Sequence, residues 1–297
     1  MSKAQLEAID QEIRQRPRPV GLTMDEARAG FAERMAANDG LPMPTVEADV
    51  LGGVPIARIG DETAEEVVFY LHGGTYMLGT AANTARLPGA IGARAGARVI
   101  SVDYRLAPEH PFPAGLDDAL AAYRALLDGG ATRIAFAGDS AGGGLVLATL
   151  LAARDAGLPL PSSAVLFSPW TDLTLSGASM TERSALDPTL TKDGLAGGVA
   201  AYRGSADPAN PLLSPAFAEL RGLPPLMVVV GGNEILLDDS LQLAARAASY
   251  DVPVRLEVTP GASHVFPLFG KRLDEAEVAL RHVGEFLGER FACCGNK

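Results

Sequence analysis

The feature that most constrains the fold is the stretch at residues 133–147, RIAFAGDSAGGGLVL, in which a short apolar run meets a cluster of glycines and then a second apolar run. This order predicts a buried strand that turns sharply into a helix. The segment GDSAG at residues 138–142 fits the pattern G-x-S-x-G, in which glycines on both sides of the serine let strand and helix approach closely. Ser140 would then occupy the turn with a strained backbone, and its hydroxyl would lie above the edge of a sheet.

A glycine-rich turn before a helix can also bind a phosphate group. The sequence disfavours that alternative, because no Lys-Ser or Lys-Thr pair follows the glycines and no G-x-G-x-x-G pattern runs through them. The motif also lies in mid-chain rather than in a first strand–helix unit. Taken alone, the five residues are compatible with an ordinary tight turn.

The rest of the chain predicts one α/β domain. Continuous apolar runs bounded by turns are typical of buried parallel strands, and alternating apolar residues are typical of an antiparallel pair. The predicted strands are 46–50, 55–59, 66–71, 98–102, 134–137, 164–167, 226–230 and 254–258, and the predicted helices between and after them are 83–95, 116–127, 145–154, 240–249 and 273–287. With 297 residues, 47% of them hydrophobic, the chain can bury a sizeable core around a mostly parallel sheet of about eight strands.

Two helices are predicted before the sheet, at residues 3–16 and 24–38. Packing against the core is the more ordinary explanation of their apolar residues. In the alternative they form a helical cap in which Met24, Phe31 and Met35 face a substrate pocket, where the flexible methionine side chain is well suited.

Residues 171–225 interrupt the strand–helix alternation with Thr, Ser, Pro and Gly. An insertion of this length after a strand usually forms a lid or a pocket wall. The predicted organisation is a cap at 1–42, a catalytic domain at 43–292 that includes the insertion, and a polar tail at 293–297.

Charge and cysteine content narrow the choice of partners and compartment. The formal charge is −11 and the pI is about 4.9, which argues against nucleic acid and anionic membranes as partners. The two cysteines, Cys293 and Cys294, are adjacent and cannot build a disulfide framework, so we expect a reducing compartment. The first residues lack an apolar signal region and no apolar run is long enough to span a membrane, so we expect a cytoplasmic protein without a membrane span.

A serine hydroxyl needs a neighbouring base, usually a histidine, to act as a nucleophile. His264 is the best candidate, because it lies in a glycine-containing loop directly after the last predicted strand and can reach the sheet edge beside Ser140. His282 lies in an amphipathic helix, where a structural role is expected, and His72 and His110 precede the serine.

The base in turn needs a carboxylate that orients it. Glu234 is the carboxylate nearest to the end of the strand predicted at 226–230. Asp238 is the alternative, although Asp238 and Asp239 are also well explained as residues that cap the following helix. The order serine, acid, histidine is the one expected of an α/β-hydrolase.

An acyl-transfer site also needs hydrogen-bond donors for an oxyanion. The backbone N–H of Ala141, which follows the serine, is one candidate. The loop LHGGTY at 71–76 supplies the others, because its glycines allow the N–H groups of Gly74 and Thr75, and also that of Gly73, to converge. A plain turn at the end of a strand is the alternative explanation of this loop.

Five blocks of sequence together resemble the bacterial hormone-sensitive-lipase family of α/β-hydrolase carboxylesterases. They are HGGT at 72–75, DYRLAPEHPFP at 103–113, GDSAGGG at 138–144, EILLDD at 234–239, and His264. The resemblance covers most of residues 40–290, and the second block is the most specific. It implies the α/β-hydrolase fold with an N-terminal helical cap, short-to-medium acyl esters as substrates, no cofactor or metal, and a homodimer.

The sequence departs from the family pattern at two positions. The usual H-G-G-G ends here in Thr75, whose Cβ restricts the backbone, so this residue either donates with altered geometry or shapes the pocket. The acid block commonly has Asp before Pro-Leu, whereas this chain has Glu234 before Ile-Leu, which resembles a subgroup with Glu and keeps Asp238 as an alternative.

The expected reaction is ester hydrolysis through an acyl-enzyme. Lactone hydrolysis uses the same groups on a cyclic ester, a non-catalytic receptor could share the fold, and a peptidase is a further alternative without a predicted peptide groove. The candidate pocket residues, each equally well explained as core or wall, are Met24, Phe31, Met35, Tyr76, Trp170, Leu186, Tyr202 and Phe266.

Overall fold

The computed structural model describes residues 2–17 and 21–294, and eight strands within those residues form one sheet. The strands are β1 (Val46–Leu51), β2 (Val54–Ile59), β3 (Glu66–Leu71), β4 (Arg98–Val102), β5 (Arg133–Asp139), β6 (Ala164–Phe167), β7 (Leu226–Gly231) and β8 (Val254–Thr259). Their order across the sheet is β1-β2-β4-β3-β5-β6-β7-β8. β2 runs antiparallel to both of its neighbours, β1 and β4, and all the other neighbouring strands pair in parallel. The predicted mostly parallel sheet of about eight strands is therefore confirmed.

Helices cover both faces of this sheet. They are α1 (Lys3–Gln15), α2 (Met24–Ala37), α3 (Arg86–Ala95), α4 (Ala114–Asp128), α5 (Ala141–Asp155), α6 (Ser179–Glu182), α7 (Lys192–Tyr202), α8 (Leu237–Ser249) and α9 (Asp274–Cys294), with short 3-10 helices at Pro215–Phe217 and Phe266–Arg272. None of the helices in the described chain has both the length and the apolar run that crossing a bilayer requires.

Two hydrophobic cores lie on opposite faces of the sheet. Alternate side chains of β3 enter different cores, with Phe69 in the one covered by α4, α5 and α8 and Tyr70 in the one covered by α1, α3 and α9. Because both faces are covered, the strand has no polar face and its apolar run is continuous. The sheet is thereby supported by packing on both of its faces.

Several helix boundaries differ from the predictions: α4, α5 and α8 begin two to four residues earlier than predicted, and α3 and α9 differ as follows. α3 begins at Arg86 rather than at residue 83, because Thr80 and Asn83 hydrogen-bond to each other's backbone N–H groups and form a separate turn. α9 continues to Cys294, so the first two residues of the predicted polar tail are helical. Residues 1, 18–20 and 295–297 of the predicted cap and tail lie outside the described residues.

The two N-terminal helices differ in how they join the body of the protein. α1 buries Ile9 and Ile13 in the core beneath α3 and α9, as the core-packing explanation expects. α2 has no buried residue. It is joined to the body through Arg28, whose guanidinium donates to the carbonyl oxygens of Met77 at 3.0 Å and Ala107 at 3.2 Å. Core packing therefore does not explain α2.

Candidate active site

Ser140 lies in the turn between β5 and α5 with φ 53° and ψ −124°, a conformation that residues with a side chain rarely adopt. Its N–H donates to the carbonyl of Phe167 at 2.8 Å and its carbonyl accepts from the N–H of Trp170 at 2.9 Å. A Cβ at Gly142 would lie 2.0 Å from the carbonyl oxygen of Leu71. Glycine there is what allows α5 to begin against β3.

A chain of hydrogen bonds connects Ser140, His264 and Glu234. Nε2 of His264 lies 3.0 Å from Oγ of Ser140, and Nδ1 lies 2.7 Å from Oε2 of Glu234. Since a carboxylate can only accept, Nδ1 carries the proton and Nε2 is left to accept from the serine hydroxyl. The three residues follow β5, β8 and β7, so the structure brings together the three loops that the sequence singled out.

Electrostatics favour the protonated form of the His264 imidazole. Burial alone would lower the pKa of His264, but the charge and hydrogen bond of Glu234, with smaller contributions from Asp187 and Asp139, raise it above its ordinary value. The imidazole is therefore prepared to accept a proton and to be stabilised once charged.

The carboxylate of Glu234 is fully buried and has a partner at each oxygen. While Oε2 contacts His264, Oε1 accepts from the hydroxyl of Ser168 and from the N–H of Gly231, both at 2.7 Å. These two donors compensate the burial of the charge and fix the plane of the carboxylate.

Asp238 has a different set of contacts. Its carboxylate accepts from the N–H of Ser179 at 3.0 Å, and its own N–H donates to the hydroxyl of Ser179 at 3.1 Å. It therefore ties α8 to α6 in the insertion. Asp239 is buried, with its carboxylate bonded to the N–H groups of Thr171 and Asp172, and burial raises its pKa to about 8. The geometry favours Glu234 over Asp238 as the partner of His264.

The glycine loop lies beside Ser140 at the end of β3. Among the residues that the structure describes, none accepts a hydrogen bond from the N–H groups of Gly74, Thr75 or Ala141. The N–H of Gly73, by contrast, donates to Oδ1 of Asp139 at 3.0 Å. Gly73 therefore has its donor occupied inside the protein, unlike the other three predicted oxyanion residues.

Thr75 adopts φ 54°, the left-handed conformation that a glycine would enter without strain. Its hydroxyl donates to the carbonyl of Gly74 at 2.7 Å. A Cβ placed on Gly198 of α7 would lie 3.4 Å from Cβ of Thr75, so the threonine side chain faces the insertion. Its backbone keeps the loop geometry while its side chain points toward α7.

Three of the predicted pocket residues form an aromatic cluster. Tyr76, Trp170 and Tyr202 are all at most 2% exposed. The rings of Tyr76 and Tyr202 stack with centroids 3.8 Å apart and an interplanar angle of 2°, and Trp170 lies 5.9 Å from Tyr76. The cluster joins the glycine loop to the insertion.

The remaining pocket candidates are dispersed. Met24, Phe31 and Met35 are half-buried on α2, and Leu186 is 40% exposed. Phe266 must be withdrawn from the set, because its side chain is buried in the core beneath α1, α3 and α9, on the opposite face of the sheet from the core that contains Tyr76, Trp170 and Tyr202. The chain reverses at Val265, which has φ 51°, and this turn directs Phe266 to the other face of the sheet.

The other candidate residues have structural partners. His72 is buried, stacks on Tyr104 with centroids 4.5 Å apart and contacts the carbonyl of Gly73, and burial lowers its pKa. His282 pairs with Glu257 at 3.0 Å, as expected of a structural residue. In the part of the chain that the structure describes, no group of three or more His, Cys, Asp or Glu side chains could hold a metal ion.

Sequence analysis overlooked two residues of the site. Ser168 contacts Glu234 directly, and its position immediately after a predicted strand was the only available signal. Asp187 of the insertion is buried, accepts from the N–H of Ile235 at 2.9 Å and adds negative charge near His264. Nothing in the local sequence distinguishes it from a surface aspartate.

Comparisons with known proteins show which family the chain resembles. The family model described as the alpha/beta hydrolase fold matches residues 68–268. An acetyl-hydrolase of Streptomyces hygroscopicus is 43% identical over 249 residues, covering 79% of this chain and 83% of that protein, and an esterase of Acinetobacter venetianus is 37% identical over 227 residues, covering 75% of each. The crystal structure of an esterase from the bacterial hormone-sensitive lipase family superposes with a TM-score of 0.92 at 40% identity, covering 98% of this chain and 99% of that one.

The chain belongs to the bacterial hormone-sensitive-lipase family. Membership confirms the α/β-hydrolase fold that the five sequence blocks implied. It also makes the protein a carboxylic ester hydrolase, since relatives that match most of its length are esterases and acetyl-hydrolases. As a member of the family, the protein acts on small-molecule esters.

Proposed function

We propose that this family member is a serine carboxylesterase that hydrolyses short-to-medium acyl esters through an acyl-enzyme. The observation that carries the proposal is the continuous hydrogen-bond chain from Oγ of Ser140 through His264 to Oε2 of Glu234, with contacts of 3.0 and 2.7 Å. We call these three residues the proposed triad. A nucleophile, a base and an orienting acid in this order are what acyl transfer requires.

In the first half of the reaction, Oγ of Ser140 attacks the ester carbonyl carbon while Nε2 of His264 takes the hydroxyl proton. The carbonyl oxygen becomes an oxyanion, and the N–H groups of Gly74, Thr75 and Ala141 are the donors we assign to it. The carbon–oxygen bond to the alcohol then breaks, and the imidazolium returns its proton to the leaving alkoxide.

In the second half, a water molecule attacks the acyl carbon and His264 accepts one of its protons. The bond to Ser140 breaks, the serine recovers its proton and the carboxylic acid is released. Throughout both halves Glu234 keeps the imidazole in one tautomer and stabilises its charged form.

The preference for shorter acyl groups rests on the walls of the site. The cluster of Tyr76, Trp170 and Tyr202 is tightly stacked and at most 2% exposed, and we expect it to bound the space for the acyl group beside the glycine loop. The relative from Streptomyces hygroscopicus is an acetyl-hydrolase, which agrees with a small acyl group.

The decisive test compares Ser140→Ala with a matched control. Ser101→Ala changes another buried serine, in β4, whose hydroxyl has no partner among the described residues. We expect S140A to lose at least about 10⁴-fold in kcat on p-nitrophenyl acetate and S101A to stay within about twofold of the wild type. A phosphonate should add covalently to the wild type and to S101A but not to S140A, as read by mass spectrometry.

A series of p-nitrophenyl esters from acetate to palmitate, with lactones included, tests the substrate class. We expect kcat/KM to be highest for short-to-medium linear acyl groups. An S140A variant that retains wild-type turnover would overturn the mechanism, whereas a preference for palmitate or for lactones would overturn only the substrate assignment.

We also propose that the protein is a homodimer, as the resemblance implies. We further propose that it lies in the cytoplasm, as the sequence leads us to expect. Light scattering of the purified protein should give twice the mass of one chain. Fractionation of expressing cells should place the activity with the cytoplasm.

A further inference from the structure

The residue that follows β6, Ser168, contacts the loops of both the acid and the base. Oγ of Ser168 donates to Oε1 of Glu234 at 2.7 Å and accepts from the N–H of Val265 at 3.0 Å. Val265 directly follows His264. One hydroxyl group therefore connects the Glu234 carboxylate to the backbone that carries the imidazole.

The backbone around Ser168 reaches the third loop as well. The N–H of Ser168 donates to the carbonyl of Val229 in β7 at 2.8 Å. Its neighbour Phe167 accepts from the N–H of Ser140, and Trp170 donates to the carbonyl of Ser140, at 2.8 and 2.9 Å. The segment 167–170 is thus bonded to all three loops that bear the proposed triad.

Ser168 occupies this position in spite of its backbone conformation. Its φ is 45°, in the left-handed region that a side chain makes unfavourable and that glycine enters freely. Residues held in such conformations are found where the surrounding structure determines them fully, and they concentrate at functional sites. The side chain is fully buried, so its hydroxyl serves groups inside the protein and cannot touch solvent.

We infer that Ser168 is a positioning residue for catalysis, which fixes the Glu234 carboxylate and the His264 loop in one register. The inference deepens the proposed function and rests on it. With two donors on Oε1, from Ser168 and Gly231, the carboxylate cannot rotate away from Nδ1 of His264. Loss of one donor allows rotation, and proton transfer from Ser140 then slows while substrate binding is unchanged.

A matched control exists at the opposite end of the same strand. Ser163, immediately before β6, is also fully buried, but its hydroxyl has no hydrogen-bond partner among the described residues. Ser163→Ala therefore removes a buried hydroxyl from the other end of β6 without touching the site. It measures what such a loss costs when no catalytic group depends on it.

The test measures kcat and KM of S168A and S163A on p-nitrophenyl acetate, with active enzyme counted by phosphonate titration. Ser168 positions the Glu234 carboxylate much as outer-shell residues position metal ligands, and losing such a residue typically lowers affinity or activity 10- to 100-fold. By this analogy we expect S168A to lower kcat by about the same factor, with KM within about twofold of the wild type. S163A should match the wild type. Both changes are repeated in Glu234→Ala, where S168A should cost less than about threefold because the group it positions is gone.

Three results would overturn the inference. The first is a kcat of S168A within twofold of the wild type. The second is a loss of kcat in S163A as large as in S168A. The third is an equal reduction of kcat by S168A in the presence and in the absence of the Glu234 carboxylate. Ser168→Gly is the second variant, because it removes the hydroxyl while relieving the backbone. If S168A does not fold, S168G must show the kcat loss, and wild-type activity in S168G would overturn the inference. Retained turnover in S140A would instead overturn the proposed function.

Discussion

The carboxylate of Glu109 accepts hydrogen bonds from both terminal nitrogens of Arg28, at 2.8 and 2.6 Å. The hydrogen bonds from Arg28 lower the pKa of Glu109 to about 2. Glu109 belongs to the block at 103–113, the most specific part of the family resemblance, for which the sequence offered no catalytic reason. In the structure it anchors α2, whose Arg28 also donates to the carbonyl of Met77 beyond the glycine loop.

We expect Arg28→Ala to raise KM by roughly 3- to 10-fold with little change in kcat, because lost charge-assisted hydrogen bonds release the helix that carries Met24, Phe31 and Met35. The free energy of unfolding should fall by less than about 1 kcal/mol, since the ion pair with Glu109 is partly exposed. Acyl-length kinetics and urea unfolding measure the two effects.

The control for Arg28 is Lys3→Ala in α1. Lys3 also takes part in an ion pair, with Glu7, but both side chains are largely exposed. K3A should leave both KM and stability unchanged. An unchanged KM in R28A would show that α2 does not bound the substrate site.

Glu234→Ala and Asp238→Ala should separate the two carboxylates that the sequence left as alternatives. We expect E234A to lose about 10⁴-fold in kcat, as when a triad acid is replaced. D238A should keep kcat within about threefold and lose about 1–2 kcal/mol of stability, because Ser179 loses its hydrogen bond at the start of α6. Steady-state kinetics and thermal unfolding of both variants decide the assignment, and the reverse pattern would assign the acid to Asp238.

The activity should depend on pH through His264. The base must be neutral to act, so kcat/KM should fall as the pH drops through the pKa of His264. Burial lowers this pKa, but the negative charges of Glu234, Asp187 and Asp139 outweigh burial and raise the pKa above its ordinary value. The acid limb should therefore lie at higher pH than for an ordinary histidine. Profiles of kcat/KM against pH on an ester of pH-independent reactivity give its midpoint.

Asp187→Asn removes one of the negative charges near His264 and should move the acid limb to lower pH. The change should also cost stability, because Oδ2 of Asp187 accepts from the N–H of Ile235 while Oδ1 accepts from those of Thr189 and Leu190, and an amide offers only one oxygen. Asp193→Asn, an exposed carboxylate in α7 of the same insertion, is the control and should not move the limb. A shift toward higher pH in D187N would contradict the assigned electrostatics.

Thr75→Gly and Thr75→Ala test the unusual residue of the glycine loop. At φ 54° a glycine avoids the steric cost of a side chain, so T75G should be about 1 kcal/mol more stable than T75A. Because the backbone N–H is the proposed oxyanion donor, both variants should stay within about tenfold of wild-type kcat. Thermal unfolding and kinetics provide both values, and a loss beyond about 10²-fold would mean that the hydroxyl itself takes part in catalysis.

The sheet could be predicted largely because buried parallel strands are continuous apolar runs. β3, β4 and β6 begin and end at the predicted residues. The start of α3 could not be predicted, since it depends on side-chain bonds between Thr80 and Asn83 that compete with the helix.

The three loops that meet at the site were predictable because the carboxyl ends of parallel strands share one edge. The direction in which individual side chains point could not be predicted. Phe266 is only two residues beyond His264, yet a left-handed turn at Val265 sends it to the other core. Ser168 and Asp187 acquire their roles from partners 66 and 48 residues away in the chain, so no local pattern marks them.

Gly142 places the first turn of α5 directly against the carbonyl groups of Leu71 and His72. The distance between Ser140 and the glycine loop is consequently set by contact between two main chains. No side chain lies between them, so substitutions cannot change this distance in small steps. Divergence in substrate preference among proteins of this kind must then arise in α2 and residues 171–225. Laboratory evolution toward new esters should accumulate its substitutions there and leave residues 71–75 and 138–142 untouched.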